Sequence, residues 1–555
     1  MTGTCADLSE AECPGVMAPC ALGHRRRGSG PSRRSTTLFG SVLALCVACG
    51  VPARDHEAPE GGGGDSADSG GPSSSLDTPG GTPDSGPTQP PGPPPVGGAC
   101  PEGALQCPAG HGCNAGTCGP CGGVDDCGDL DACRPDGWCG ACGSDAPCRA
   151  GETCLHGTCL PPVPGWNLLI APADFKALVD NESKTDLYPC VIEVGGTTYG
   201  DGQVRLRGGS SLSAPKRSFR IEFPKKSAHP GYSRKINLRA EWNDPTYLRN
   251  ALAAQTFRRL TTLPTFRTRF VRLSVNGEPY GLMSEVERVG EPFLEARGLP
   301  KDAPLYDADP PNKMAQQGIA TLTPLPDDAT YREAYDKQSG PDDYSDLRSF
   351  VEETLWGDYQ ESPSLDHTKT VRLREQADVD RLVGYLAVMG AIQGHDHVKK
   401  NYVVARLPSG AGVKWAFVPW DLDLTLGCLY DAEGDDTVCD KLVVDEWYDT
   451  GTLRQGMDPV YPTSSYFNML IHLVVNDPEL RKALKSRICE IFASTVWKER
   501  LPGMVRGFRE HLAAHVQEDE RDLNEDAAAF VEATDDLLRF LTERPAFLRP
   551  NLGCP

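Results

Sequence analysis

Twelve of the chain's 22 cysteines fall between Cys100 and Cys159, and that crowding is the strongest limit on what the front of this 555-residue chain can fold into. Cys100, Cys107, Cys113 and Cys118 make one unit, Cys121, Cys127, Cys133 and Cys139 a second, and Cys142, Cys148, Cys154 and Cys159 a third. Repeats of roughly twenty residues with so few large apolar side chains cannot build a core, so cross-links must supply their stability. The C-x-x-C spacings at Cys118 with Cys121 and at Cys139 with Cys142 admit a zinc-ribbon reading. The wider gaps between the others favour disulfides, whose connectivity is not legible. Downstream, Cys428 with Cys439 would close a short loop and Cys489 with Cys554 would tie down the C-terminal helices, leaving Cys190 unpaired.

Ahead of the repeats, Arg25-Arg26-Arg27 and Arg33-Arg34 precede the apolar run Leu38 to Ala48 and then Cys49-Gly50, the charged, apolar and small-residue parts of a signal peptide. Val47-Ala48-Cys49 is similar to a bacterial lipoprotein processing box in which Cys49 carries the lipid, with Cys46 departing from the usual Leu. The run is too short to span a bilayer. Residues 50–99 are Gly, Pro, Ser and Asp with almost nothing apolar, which reads as a disordered stalk. The expected organisation is an export segment at 1–49, the linker at 50–99, the cysteine-rich module at 100–160 as a spacer or partner-binding unit, and a large α+β domain at 165–555. A cell-surface lipoprotein or an extracellular protein follows, touching membrane only through the lipid. The formal charge of −22 argues against nucleic acid as a partner.

Within the large domain, Gly394-His395-Asp396-His397-Val398-Lys399-Lys400-Asn401 follows the helix-like run Leu382 to Ile392. Tyr402 to Leu407 then reads as a strand, turned by Pro408 to Gly412 into a second strand, Val413 to Val418, and followed by Pro419-Trp420-Asp421-Leu422-Asp423. A hairpin returns to its origin, so Asn401 and Asp421 are expected to be neighbours, with Asp396 on the adjoining loop. Two carboxylates and an amide suit a hard divalent ion and phosphoryl transfer. The bland alternative makes the same residues turn and cap formers. A zinc site from His395, Asp396 and His397 is disfavoured by their adjacency.

Upstream, Gly202 to Arg207 reads as a strand, Gly208 to Pro215 as a small-residue loop with Gly209, Ser210 and Ser211, and Lys216 to Phe223 as the returning strand. Gly208 and Gly209 permit positive φ and Lys216 offers a point charge, a plausible phosphate cradle; a plain hairpin with a solvated basic strand competes with it. Neither a Walker nor a G-x-G-x-x-G motif occurs here. A helix is predicted over Thr246 to Leu260 with Arg249 on its first turn, and Asn276-Gly277 signals a hairpin between Arg269 to Val275 and Tyr280 to Val286.

The segments Arg207-Gly208-Gly209-Ser210-Ser211 with Lys216, Asp244 with Arg249-Asn250, Tyr280-Gly281 with Glu285, His395-Asp396 with Asn401, and Trp420-Asp421-Leu422-Asp423 with Gly427 resemble the CotH kinase family over roughly Gly165 to Arg487. The resemblance implies an atypical, two-lobe kinase-like fold that transfers the ATP γ-phosphate to Ser or Thr of a protein with Mg2+ or Mn2+. It implies that Asp396 is the catalytic carboxylate and that Asp421, with Asn401 and Asp423, holds the metal. Arg207, Gly208, Gly209, Ser210, Ser211 and Lys216 would contact the nucleotide, Glu285 would lie beside the adenine, and Arg249 and Trp420 would support the site. Gly209 stands where Asn is common in the family, which removes a side-chain contact. The basic run from Lys216 to Arg239, set against acidic residues around Glu518 to Asp526, suggests a Lys/Arg-rich protein acceptor. The rival reading is a catalytically silent surface adhesin or scaffold on the same fold.

Overall fold

Seven strands with an apolar inner face close the first half of the large domain into a barrel. The computed structural model of the chain describes residues 107 and 110–554 apart from 116, 182, 226–228, 310–319, 358–366, 395, 396, 398, 399, 411, 431–436, 439–467 and 519–526. The export segment with Cys49, the linker and Asp396 therefore lie outside the described residues.

The barrel strands are β1 (Gly165–Leu169), β2 (Tyr188–Val194), β3 (Thr197–Arg207), β4 (Ser218–Glu222), β5 (Lys235–Arg239), β6 (Thr268–Val275) and β7 (Glu278–Val286). Their order around the barrel is β4-β5-β7-β6-β1-β2-β3, with β3 paired back to β4. All neighbours are antiparallel except β6 with β1, which run parallel from Arg272 opposite Gly165 to Val275 opposite Leu168. Side chains of Val204, Leu206, Phe219, Ile221, Ile236 and Leu238 fill the interior. The period of two then sends Arg205, Arg207, Arg220, Asn237 and Arg239 to the outer face. In that face Arg220 lies opposite both Arg205 and Asn237.

The second sheet has the order β9-β8-β10-β11, built from β8 (Leu305–Asp307), β9 (Asp336–Ser339), β10 (Tyr402–Ser409) and β11 (Gly412–Pro419). The predicted hairpin is present, with Tyr402 opposite Pro419 and Ser409 opposite Gly412. Helix α2 (Val379–Ala391), capped by Asp378, packs on β11. Preceding it in the chain, helix α1 (Arg249–Leu260) starts later than its apolar spacing suggests. Tyr247 has φ 59°, and the Asp244 and Thr246 side chains hold the intervening turn, with the Leu248 amide donating to Thr246 Oγ1 at 3.0 Å. The fold is thus a mixed helix and sheet structure. Among the described residues no helix is long and apolar enough to cross a membrane.

The cysteine-rich module is disulfide-linked in a repeating pattern. Cys121 bonds Cys133 and Cys127 bonds Cys139; Cys142 bonds Cys154 and Cys148 bonds Cys159; Cys107 bonds Cys118. In each of the two complete units the first cysteine meets the third and the second meets the fourth. Zinc ribbons are ruled out for these pairs, since the sulfurs are consumed in covalent bonds. Cys190 is free and buried. Cys428 is disulfide-bonded, and its expected pairing with Cys439 falls partly outside the described residues.

The module is seated on the helices. Its last hairpin packs on helix α4 (Leu501–Glu518), and Leu130 and Leu160 join the main apolar core. Close approach depends on Gly503 and Gly507, because a Cβ there would stand 2.7 Å from the His156 carbonyl oxygen and 2.8 Å from that of Leu155. Cys489 on α3 (Pro478–Ala493) bonds Cys554 beyond α5 (Ala527–Leu552), closing 65 residues. Cys489→Ser is expected to cost roughly 2–4 kcal/mol by releasing that loop, read as a lower urea midpoint under non-reducing conditions.

Candidate active site between the barrel and the second sheet

A cleft enclosing about 700 Å³, open mouth included, lies where the barrel's outer polar face meets the end of the β10–β11 hairpin. Arg207, Gly208, Gly209 and Ser211 line it from the end of β3, Arg239 and Glu241 from the end of β5, and Lys400, Asn401, Asp421 and Asp423 from the hairpin. Asp309 comes from just beyond β8. The hairpin argument therefore places Asn401 and Asp421 as expected, in one cleft.

Backbone geometry points these groups inward. Asn401 has φ 64° and Asp421 φ 52°, left-handed conformations that Asn and Asp tolerate better than most residues. The Asn401 amide donates to the Ala308 carbonyl at 2.9 Å, fixing it to the extension of β8. The loop after β11 is pinned from α1: the Leu422 amide donates to Asn250 Oδ1 at 3.2 Å. At the loop from β3 to β4, Gly208 has φ 121°, and a Cβ there would run into Ser211 Oγ. Gly209 has φ −111°, so only one of the two glycines uses the freedom expected of both.

Arg239 dominates the electrostatics and was not singled out from the sequence. Its Nη1 donates to Asp421 Oδ1, its Nη2 to Asp423 Oδ2 at 2.6 Å, and its Nε lies 3.5 Å from Glu241 Oε1. Burial works against its charge, but these three carboxylates hold the guanidinium well above its usual range. Burial alone would raise Asp421, yet Arg239, Arg207 and Lys400 together hold it below the carboxylate range. Arg207 is lowered by burial and then by the Arg239 charge. Asp307, behind Asp309, is pushed well above its range by burial and by Asp309, Asp336 and Asp421.

Glu241 has φ 51° and is 3% exposed. Burial pushes its carboxyl up to about 7, against the pull of Arg239. The unfolded chain sheds this proton first, so the folded state loses stability as pH rises from about 4.5 to about 7. Glu241→Gln is expected to flatten that slope by on the order of 2 kcal/mol, measured as the difference in unfolding free energy between pH 5 and pH 8.

Other expected site residues stand further back. Lys216 is buried and is not among the cleft-lining residues; its Nζ donates to the Leu282 carbonyl at 2.7 Å and lies over the Tyr247 ring. Glu285 is fully buried on β7, accepting from Arg269 Nε at 2.6 Å and from the Tyr232 amide at 2.9 Å. Arg249 is buried against Asp244, with Nη1 2.5 Å from Oδ1. Trp420 packs edge-on to Phe266. The signal for the missed residues was present in the run Leu238-Arg239-Ala240-Glu241. Its apolar and charged positions alternate up to and past the strand end, with opposite signs on one face.

Cations and carboxylates thus interleave across one cleft, beside a small-residue loop. A family model described as CotH kinase protein matches residues 204–548. Inner spore coat protein H of Bacillus subtilis (strain 168) is 24% identical over 394 residues, 70% of this chain and 98% of that protein. The chain belongs to the CotH kinase protein family.

Proposed function

We propose that this chain is an atypical protein serine/threonine kinase in which the barrel and the second sheet serve as the two lobes of a kinase-like fold. The observation that carries the reading is the joint presence of Asn401, Asp421 and Asp423 opposite Arg207 and the Gly208–Ser211 loop in one cleft. The donor set fits a divalent metal: hard oxygens converge there, and a guanidinium already sits between Asp421 and Asp423 as a cation would. A bound Mg2+ or Mn2+ supplies charge neutralisation at the β- and γ-phosphates of ATP.

The chain's own residues do the rest. Asp421, Asp423 and Asn401 would hold the metal. The backbone of Gly208 and Gly209, with Ser211 and Arg207, would receive the phosphates. Asp396 would orient the acceptor hydroxyl and take its proton. Lys216 and Glu285, buried on partners within the barrel, carry no part of the reading. Surface association is consistent with the spore-coat name of the relative and with the lipoprotein-like segment at Cys49. A Lys/Arg-rich protein remains the proposed acceptor, since the chain's charge of −22 would attract one.

Incubation with labelled ATP, Mn2+ or Mg2+ and a basic protein should label the acceptor. Asp396→Asn should lower the rate by roughly 10²–10⁴-fold, the span of a positioned acid–base group, and Asp421→Ala should abolish metal-dependent transfer. Absence of both transfer and nucleotide uptake would leave the scaffold reading in its place.

A further inference from the structure

Arg239 and Glu241 form a pair that the proposed chemistry does not use. Arg239 spends both terminal nitrogens on Asp421 and Asp423, the two carboxylates proposed for metal. A guanidinium and a divalent ion cannot occupy the space between the same two carboxylates at once. Arg239 must therefore be displaced when the cation binds, and a displaced buried charge needs another acceptor.

Glu241 is placed to be that acceptor. It lies two residues further along the chain on the same cleft wall, and its side chain is fully buried. Neither of its oxygens accepts a geometrically sound hydrogen bond from the described residues, although the Ser284 hydroxyl is close by. Arg239 Nε stands at 3.5 Å from Oε1, an ion pair too long to be a good hydrogen bond. A small movement of the guanidinium toward Glu241 would exchange two aspartate contacts for one bidentate contact. A second arrangement of this one side chain would then be open to it, and a metal would select between the two.

Resting on the kinase reading, we propose that Arg239 is a positioning residue that holds Asp421 and Asp423 together in the metal-free cleft and transfers to Glu241 when a divalent cation takes the two aspartates. Holding the aspartates in this way prevents their mutual repulsion from opening the loop after β11. It also sets a threshold, because a cation binds only by outcompeting the guanidinium. Once on Glu241, Arg239 still lines the cleft beside Arg207 and adds positive charge where the phosphates of a nucleotide would lie.

The test is Mn2+ titration of the purified chain without nucleotide, followed by electron paramagnetic resonance of free Mn2+, with thermal melts in EDTA as the folding control. Arg239→Met should bind Mn2+ on the order of tenfold more tightly than wild type, since its competitor is gone. Its melting temperature in EDTA should fall and be restored by Mn2+. Glu241→Gln should bind more weakly, because the displaced guanidinium has lost its acceptor. Simple through-space charge predicts the same two directions, so the deciding arm is the double variant. Transfer requires that Glu241→Gln have no effect on Mn2+ affinity once Arg239 is Met. An equal loss in both backgrounds overturns the proposal, as does an Arg239→Met chain that binds Mn2+ no better than wild type. Should Arg239→Met fail to fold, Arg239→Gln, which removes the charge but keeps a polar side chain, should bind severalfold more tightly, and unchanged affinity there overturns the proposal as well. Wild type that takes up Mn2+ with ATP while the variants disobey this pattern removes the transfer alone. No uptake of Mn2+ by any chain, with or without ATP, removes the kinase reading with it.

Discussion

Asp244→Ala is expected to lower the unfolding free energy of the large domain by about 3–5 kcal/mol, the cost of breaking one side of a buried ion pair. Asp244 and Arg249 are both completely buried, with Nη1 and Oδ1 at 2.5 Å. The same carboxylate accepts from the Thr246 amide at 3.0 Å, the Thr246 hydroxyl at 2.6 Å and the Arg249 amide at 2.8 Å. One substitution therefore strips a partner from a buried guanidinium and removes the acceptor of the first amide of α1. Asp244→Asn keeps the shape and some of these bonds, so its loss should be smaller. The effect should reach the cleft, because Asn250, next to Arg249, holds the Leu422 amide between Asp421 and Asp423. Urea unfolding with an unchanged midpoint in Asp244→Ala would falsify this account of the pair.

Local signals in the sequence were reliable where a few neighbouring residues decide the outcome. The turn Asn276-Gly277 adopts φ 53° and 83°, positive at both central positions as a tight hairpin requires. The hairpin from Tyr402 to Pro419 returns Asn401 and Asp421 to one cleft because antiparallel register leaves no other choice. Pairing of Cys489 with Cys554 and the free Cys190 also agree with the reading of the cysteines. What stayed hidden depends on distant chain. Parallel pairing of β1 with β6 joins segments about a hundred residues apart, and no periodicity records it. Burial is hidden for the same reason: Lys216 and Glu285, expected at the nucleotide, are covered by neighbouring elements. Arg239 was read as one more basic residue, since its three carboxylate partners come from its own strand end and from a loop more than 180 positions away.

The cysteine-rich module is expected to come loose in Asp131→Ala, with a loss of about 3–5 kcal/mol for two buried guanidiniums deprived of one shared acceptor. Asp131 Oδ1 receives Arg500 Nη2 at 2.8 Å and Arg259 Nη2 at 3.0 Å. Burial, with the Arg259 charge added, already pushes Arg500 down to about 10 while Asp131 opposes the shift. Without Asp131 the two guanidiniums face each other. The Arg500 contacts to the carbonyls of Leu130 and Gly157, the His511 contact to the Pro161 carbonyl and the packing of the last hairpin on α4 are then what hold the module. Limited proteolysis should cut residues 110–160 faster, and hydrogen exchange should rise along α4. Replacing Asp131, Arg259 and Arg500 together by apolar residues of similar volume should recover most of the loss, because no charge is then left buried. The same contact reaches the site. Arg259 stands on the last turn of α1 and Asn250 on its first, so a module that grips one end of this helix steadies the loop of Asp421 and Asp423 at the other. Metal affinity should therefore fall in Asp131→Ala although no residue of the cleft has changed. Unaltered affinity in a chain whose module has been released would show that the cleft is held without it.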